Sequence, residues 1–285
     1  RKMQVKRVYG GCAFNHRKLQ LEYFVIKNLT WRGSLSMDIE QVVLKNKLKT
    51  LFVDQKGANS GSVQIWFRAG SALEAKASDH GIAHFLEHMF FKGTKKRPNG
   101  KIAEEVEAFG GELNAFTSFD YTCYYINPPH HKLLESVDIL LDMVSNPIFL
   151  ESDLKPEREV VFEEYRRSID NPKHYAFHEI QQNTFKGGYA HPILGSQKSI
   201  KNFKRSQLQS FRKNYYNLQN AMIVVAGDLK QKNSIKQKIE SYKLPSGKES
   251  FFPHFKIQDK DTIHLHKKDV KQCLLYLTLE SVPLD

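Results

Sequence analysis

From Val63 to Ala69 apolar and polar side chains alternate, with Val63, Ile65, Phe67 and Ala69 on one side and Gln64, Trp66 and Arg68 on the other. That two-residue period predicts a strand with one buried face. Upstream, Val42-Val43-Leu44 and the run from Leu48 to Val53 predict extended chain on either side of a Lys-Asn-Lys turn. Further on the period lengthens to that of a helix, over about 79–93 and 99–109, and Gly110-Gly111 stops the second. Residues 112–118 and 121–127 predict two strands around a turn. Leu133, Leu134, Val137, Leu140, Leu141 and Val144 then recur at helical spacing up to Pro147. A helix over about 154–169 is broken by Asp170-Asn171-Pro172, and helices at 173–185 and 205–217 precede a strand from Ala221 to Ala226. A last helix falls at about 230–242. This order predicts an α+β fold, an antiparallel-rich sheet packed with helices.

The pattern divides the chain into three parts. Residues 37–244 hold every periodic element and form the predicted domain. Residues 1–36 are a basic head without amphipathic period, and 245–285 read as a linker followed by two strand-like runs, Thr262 to His266 and Cys273 to Leu279. Those runs are too short to close a sheet, so they are expected to open a second, similar domain that continues elsewhere. The head is short of acids, as a mitochondrial transit peptide would be. Arg1 is no start, however, and Glu22 with several aromatics suits upstream read-through before a start at Met37 better. No uninterrupted apolar h-region marks a secretory signal.

Composition narrows the functional classes. With 40% apolar and 12% aromatic residues in 285, the chain can bury a sizeable core. No run approaches the ~18–20 apolar residues of a membrane span. Cys12, Cys123 and Cys273 are far apart and odd in number, which fits thiols in a reducing compartment. The net charge of +12 invites a nucleic-acid reading. Yet the head holds eight Lys and Arg against one Glu, so most of the excess charge lies there and a basic face on the folded part is not implied.

The chemistry lies in His84-Phe85-Leu86-Glu87-His88. On a helix His84 and His88 sit about 40° apart, with Glu87 about 60° to the other side of His84. Ile82, Phe85, Leu86, Met89 and Phe90 occupy the opposite arc, which a packed helix buries. Two imidazoles and a carboxylate on the remaining face have the H-x-x-E-H spacing of a zinc hydrolase. Catalytic zinc usually takes three protein ligands and keeps a position for water. A third ligand should come from a second helix, and 156–167 is the acidic stretch that qualifies. Glu157 and Glu164 share a face seven residues apart, with Glu163 adjacent as a rival.

The chain here resembles the pitrilysin/insulinase peptidases and the mitochondrial processing peptidases. The resemblance begins with Trp66-Phe67-Arg68-Ala69-Gly70-Ser71 and Glu74, and continues through the run from Gly81 to Thr94. It extends through Gly110 to Thr117, then Asp142, Pro147, Phe149, Glu157-Arg158 and Glu163-Glu164. Asp170-Asn171-Pro172, His191-Pro192, Gly195, Tyr216, Asn220 and Gly227-Asp228 complete it, from about Ile39 to the C-terminus. One departure is Asp120, where many members have Glu; it is no ligand, and the change is expected to be tolerated.

The resemblance implies one zinc ion held by His84, His88 and Glu164, with Glu87 as the base and Glu157 steadying a ligand. Zinc so held acidifies water and polarises a carbonyl oxygen. Glu87, with no place on the metal, would take the attacking water's proton and pass it to the leaving amine. By the same resemblance, Asn114-Ala115 would belong to a sheet-edge segment that pairs with extended peptide as an added strand. The implied function is a zinc metalloendopeptidase acting on extended peptides or unfolded segments. Its homologous C-terminal half would lie on the same chain or on a partner subunit. The location implied is a bacterial-type cytoplasm, with the mitochondrial matrix or periplasm as alternatives. A non-catalytic scaffold subunit of the same fold and a peptide-binding module are the competing readings. His264 and His266 share a strand face without a third ligand and are read as an ordinary strand face. Gly187-Gly188 is read as a turn.

Overall fold

The computed structural model of the chain describes residues 7–8, 37–253, 257, 274–276 and 278–279. The alternating segments form six strands: β1 Met37–Val43, β2 Lys49–Gln55, β3 Ser62–Phe67, β4 Glu112–Thr117, β5 Thr122–Asn127 and β6 Ala221–Gly227. They make one sheet in the order β1-β2-β6-β3-β5-β4. Every neighbouring pair is antiparallel except β2 with β6. Register aligns Val42, Thr50, Ile223, Ile65, Tyr124 and Ala115 in one row across all six strands. That row belongs to the face on which the helices pack. Separately, Arg7–Val8 pairs in parallel with Thr278–Leu279.

Eight helices accompany the sheet among the described residues: α1 Ile82–Phe90, α2 Lys101–Ala108, α3 Leu133–Ser145, α4 Glu151–Asp170, α5 Pro172–Thr184, α6 Gln197–Asn202, α7 Arg205–Tyr215 and α8 Lys232–Ser241. α1 lies at the centre, touching β4, α4 and α7, while α3 packs on β3, β5 and α8. Phe52, Phe67, Phe85, Phe90, Tyr124 and Tyr216 are fully buried in the single large core between these layers. Burial of such aromatic side chains, at roughly 1.5–3 kcal/mol each, is the main term holding helix to sheet.

Three features differ from the sequence reading. α4 starts at Glu151, so Pro156 sits inside the helix rather than in its first turn. Acidic Glu151 and Asp153 favour that earlier start, and buried Leu154 anchors it. α6 was not anticipated, because six residues are too few to show a period; Ser196 caps it with Ser199 in a reciprocal box. Trp66 is buried although it alternates with the core face, because Phe116 and Tyr121 pack on it from the opposite side of the sheet.

The stretch from Pro245 to Pro253 has no regular structure but is fastened to the domain. Asn220 receives the Ser250 amide at 2.7 Å and donates to the Lys248 carbonyl at 3.2 Å. The predicted runs Thr262 to His266 and Cys273 to Leu279, with His264 and His266, lie largely outside the described residues. So does most of 1–36.

Candidate active site

α1 buries Ile82, Phe85, Leu86, Met89 and Phe90 completely or nearly so, which sets the rotation of the helix about its axis. His84, Glu87 and His88 are thereby turned toward α4 and β4. The two imidazole rings stand 4.7 Å apart at 64°. α4 crosses α1 with Val161 buried between Glu157 and Glu164, two turns apart.

One oxygen of Glu164 lies 3.6 Å from His84 Nε2 and 3.5 Å from His88 Nε2. These separations are long for hydrogen bonds. They are close to the edge of a tetrahedron built on bonds of about 2.0–2.1 Å, which is about 3.3–3.4 Å. Among the described residues, His84, His88 and Glu164 are the one group of three or more potential ligands whose donor atoms all lie within 4.8 Å of one another. Glu163 turns outward and pairs with Arg166 at 2.6 Å. The donor set, two imidazoles and one carboxylate, therefore fits a zinc ion.

Glu157 is buried and its Oε1 contacts His88 Nδ1 at 2.7 Å, while Lys92 pairs with its other oxygen. A proton on Nδ1 shared with Glu157 leaves Nε2 as the atom facing Glu164, the usual way an outer carboxylate selects a ligating tautomer. The ring nitrogen His84 Nδ1 is buried without a partner.

The electrostatics separate the two histidines. Burial, with His88 adding to it, lowers the pKa of His84 to about 4. Burial also acts against charge on His88, but Glu157 and Glu164 outweigh it and raise that pKa to about 9. Glu164 is held below the usual carboxylate range, chiefly by His88. Burial opposes ionisation of Glu157, yet His88 and Lys92 bring its pKa down.

Glu87 is buried beside this group and is not one of the converging three. Burial raises its pKa, and a hydrogen bond from the Thr117 hydroxyl partly offsets this. Thr117 was not singled out in the sequence, although its two-residue spacing from Ala115 placed it on the helix-facing side of β4. Lys92, four residues after His88, was equally open to that argument.

Asn114 and Ala115 lie on β4, the edge strand next to α1, as expected. Their side chains point to opposite faces: Ala115 aligns with core residue Tyr124, and Asn114 with Tyr125 on the other side. Asn114 Oδ1 accepts from the Ala115 amide at 2.8 Å. Asp120 accepts a hydrogen bond of 2.6 Å from the Tyr189 hydroxyl.

A helix-borne His-x-x-Glu-His facing a carboxylate on a second helix, under an edge strand, defines the class of zinc-hydrolase-like α+β domains. The sequence profile described as Insulinase (Peptidase family M16) matches residues 49–197. The chain belongs to that family. It is 32% identical over 83% of its length to an uncharacterized zinc protease of Rickettsia bellii (strain RML369-C), covering 57% of that protein. It is 31% identical over 68% of its length to a probable mitochondrial-processing peptidase subunit beta of Arabidopsis thaliana, covering 36% of it. Among solved structures, a protease from Helicobacter pylori superposes with a TM-score of 0.68 at 32% identity, over 77% of this chain and 53% of the other. An inactive peptidase M16 domain from Pseudomonas fluorescens shares the fold, with a TM-score of 0.67 at 20% identity, over 75% of this chain and 53% of its own. The chain thus spans about half the length of the relatives it matches.

Proposed function

We propose that this chain is the metal-bearing half of a zinc-dependent endopeptidase acting on extended peptides or unfolded protein segments. The observation that carries the reading is the convergence of His84 and His88 Nε2 on one oxygen of Glu164, with Glu87 alongside and outside that set. His84, His88 and Glu164 would hold one zinc ion. When bound, zinc supplies the positive charge that acidifies water and polarises the scissile carbonyl.

The chain's own residues do the rest. Glu157 orients His88 through Nδ1. Glu87 takes the proton of the water whose oxygen bonds to the carbonyl carbon, and delivers it to the nitrogen as the C–N bond breaks. Thr117 holds the second oxygen of Glu87 toward β4. The open edge of β4 at Asn114-Ala115 accepts substrate as an added strand, which favours extended chain over folded protein. For a peptide to pair there, the Asn114 side chain must release the Ala115 amide. A homologous second half, in cis or as a separate subunit, would complete the enclosure of the substrate.

The test is metal analysis and peptide cleavage on the protein joined to that second half. Near-stoichiometric zinc is expected, with cleavage lost on chelation and restored by zinc. Cleavage that persists undiminished in metal-free protein would refute the reading.

A further inference from the structure

α1 begins without a local cap. Its N-cap residue is Gly81, in the left-handed region at φ 91°, and no side chain there accepts from the first turn. The exposed amide donors of a helix start need acceptors when buried. Here they come from a distance. Glu74, only 2% exposed, receives the Gly81 amide at 2.7 Å on one oxygen and the Ala83 amide at 2.9 Å on the other. Burial holds the Glu74 carboxyl well above its ordinary range, and these two amide donors offset that only in part.

The surroundings leave Glu74 little room to shift. It follows a short turn, Ser71–Leu73, whose amides bond to the Ser118 and Phe119 carbonyls between β4 and β5. On the other side, the loop through His191 packs backbone against backbone. A Cβ on Gly188 would come within 1.9 Å of the Ala72 carbonyl oxygen, and one on Gly195 within 2.1 Å of that of His80. His191 stacks on His80 at 3.7 Å, with Nδ1 3.5 Å from Glu74.

We propose that Glu74 is a positioning residue for the metal helix. Its two-oxygen grip on Gly81 and Ala83 ties the first turn of α1 to the end of the sheet and so sets where His84 and His88 point. One acceptor would allow the turn to pivot; two separate amides on the same carboxylate define its rotation. A ring nitrogen about 6 Å from the helix axis moves about 1 Å for a 10° rotation, which exceeds the tolerance of about 0.5 Å that a preorganised site demands. This inference rests on the zinc reading for its consequence, but the grip itself does not.

Amide hydrogen exchange on the metal-free chain tests the grip. In the parent protein the Gly81 and Ala83 amides should exchange as slowly as those in the middle of α1; fraying at those two positions would overturn the proposal without any variant. Glu74→Gln keeps the shape but replaces one acceptor oxygen by an NH2 group. Exchange at α1's first turn should then quicken about tenfold or more, with the core amides of the sheet little changed. Glu74→Asp keeps the carboxyl group but is one methylene short, and should behave like Glu74→Gln. Uniformly faster exchange throughout the domain, in step with lowered global stability, would mean an ordinary structural cap and overturn the role. Zinc titration gives the second readout: affinity in folded Glu74→Gln should fall about 10–100-fold. Equal affinity in parent and variant would overturn the link to the histidines. If the parent itself takes up no zinc, the peptidase reading fails, while the exchange data still decide whether Glu74 holds the helix.

Discussion

Replacing Glu164 by Gln should abolish zinc-dependent stabilisation, and replacing Glu163 should not. Structural zinc contributes about 10–16 kcal/mol over four ligands, or about 2.5–4 kcal/mol per ligand. Loss of the Glu164 carboxylate should therefore weaken zinc binding by on the order of 10²-fold or more. At free zinc about 100 times the parent dissociation constant, binding stabilises the parent by about 2.7 kcal/mol. For a domain of this size that raises the thermal midpoint by about 5–10 °C. In Glu164→Gln the same zinc lies near or below the dissociation constant, which leaves about 0.4 kcal/mol and a shift of about 1 °C. The metal-free midpoints should stay close to the parent's, because the Glu164 and Glu163 side chains are 39% and 50% exposed and their ion pairs are screened. The assay is thermal unfolding of parent, Glu164→Gln and Glu163→Gln with zinc and with chelator. A full zinc shift in Glu164→Gln together with its loss in Glu163→Gln would show that the neighbouring carboxylate is the ligand and that the orientation of α4 described above is wrong.

Glu87→Gln should retain fold and zinc but lose cleavage by about 10²–10⁴-fold, since the amide cannot take a proton; undiminished turnover in the complete enzyme would remove Glu87 from its role. Thr117→Val deletes the hydroxyl that holds Glu87, and should lower kcat about tenfold with zinc affinity unchanged, while Thr117→Ser restores it; a change confined to KM would point to damage of the edge strand instead. Arg97→Met should cost about 3–5 kcal/mol in urea unfolding, because Arg97 is nearly buried and shared by Glu105, Asp138 and Asp142 at 2.7–2.9 Å. Burial opposes ionisation of Asp138, but Lys96 and Arg97 hold its pKa below the usual range, so its folded pKa lies under its unfolded one. Its contribution is then complete above an unfolded pKa of about 3.9 and is lost as pH falls through the folded value. The difference in stability between parent and Arg97→Met should accordingly shrink between pH 5 and pH 2; a difference that stays constant would mean that Asp138 is not the linked group.

Much of this arrangement could be read from the chain because it rests on local periods. The two-residue alternation around Ile65 and the apolar arc of Ile82, Phe85, Leu86, Met89 and Phe90 each name a buried face, and the structure buries them. With that arc buried, His84 and His88 had no direction left but outward. The choice between Glu163 and Glu164 was different in kind. Both are polar, both lie on one acidic helix, and helical spacing admits either beside Glu157. Only the family resemblance favoured Glu164, and the geometry supports that choice without testing it. Buried Val161 turns Glu164 toward α1, while Glu163 finds Arg166 on the solvent side.

What escaped the sequence are contacts that no period encodes. Glu74 stands seven residues before Gly81, after a turn whose shape depends on the β4–β5 connection nearly fifty residues later. Thr117 reaches Glu87 only because β4 is the edge strand, which follows from the strand order and not from the strand's own residues. These two side chains act on opposite ends of the same problem. Glu74 fixes the start of α1, and Thr117 holds a carboxylate one turn further on, both from the end of the sheet where β4 turns into β5. In the proposed function, a peptide added to β4 would therefore bind to the element that already holds Glu87. On that proposal, substrate and Glu87 share one rigid reference, so a shift of β4 relative to α1 should lower turnover even with His84, His88 and Glu164 all in place.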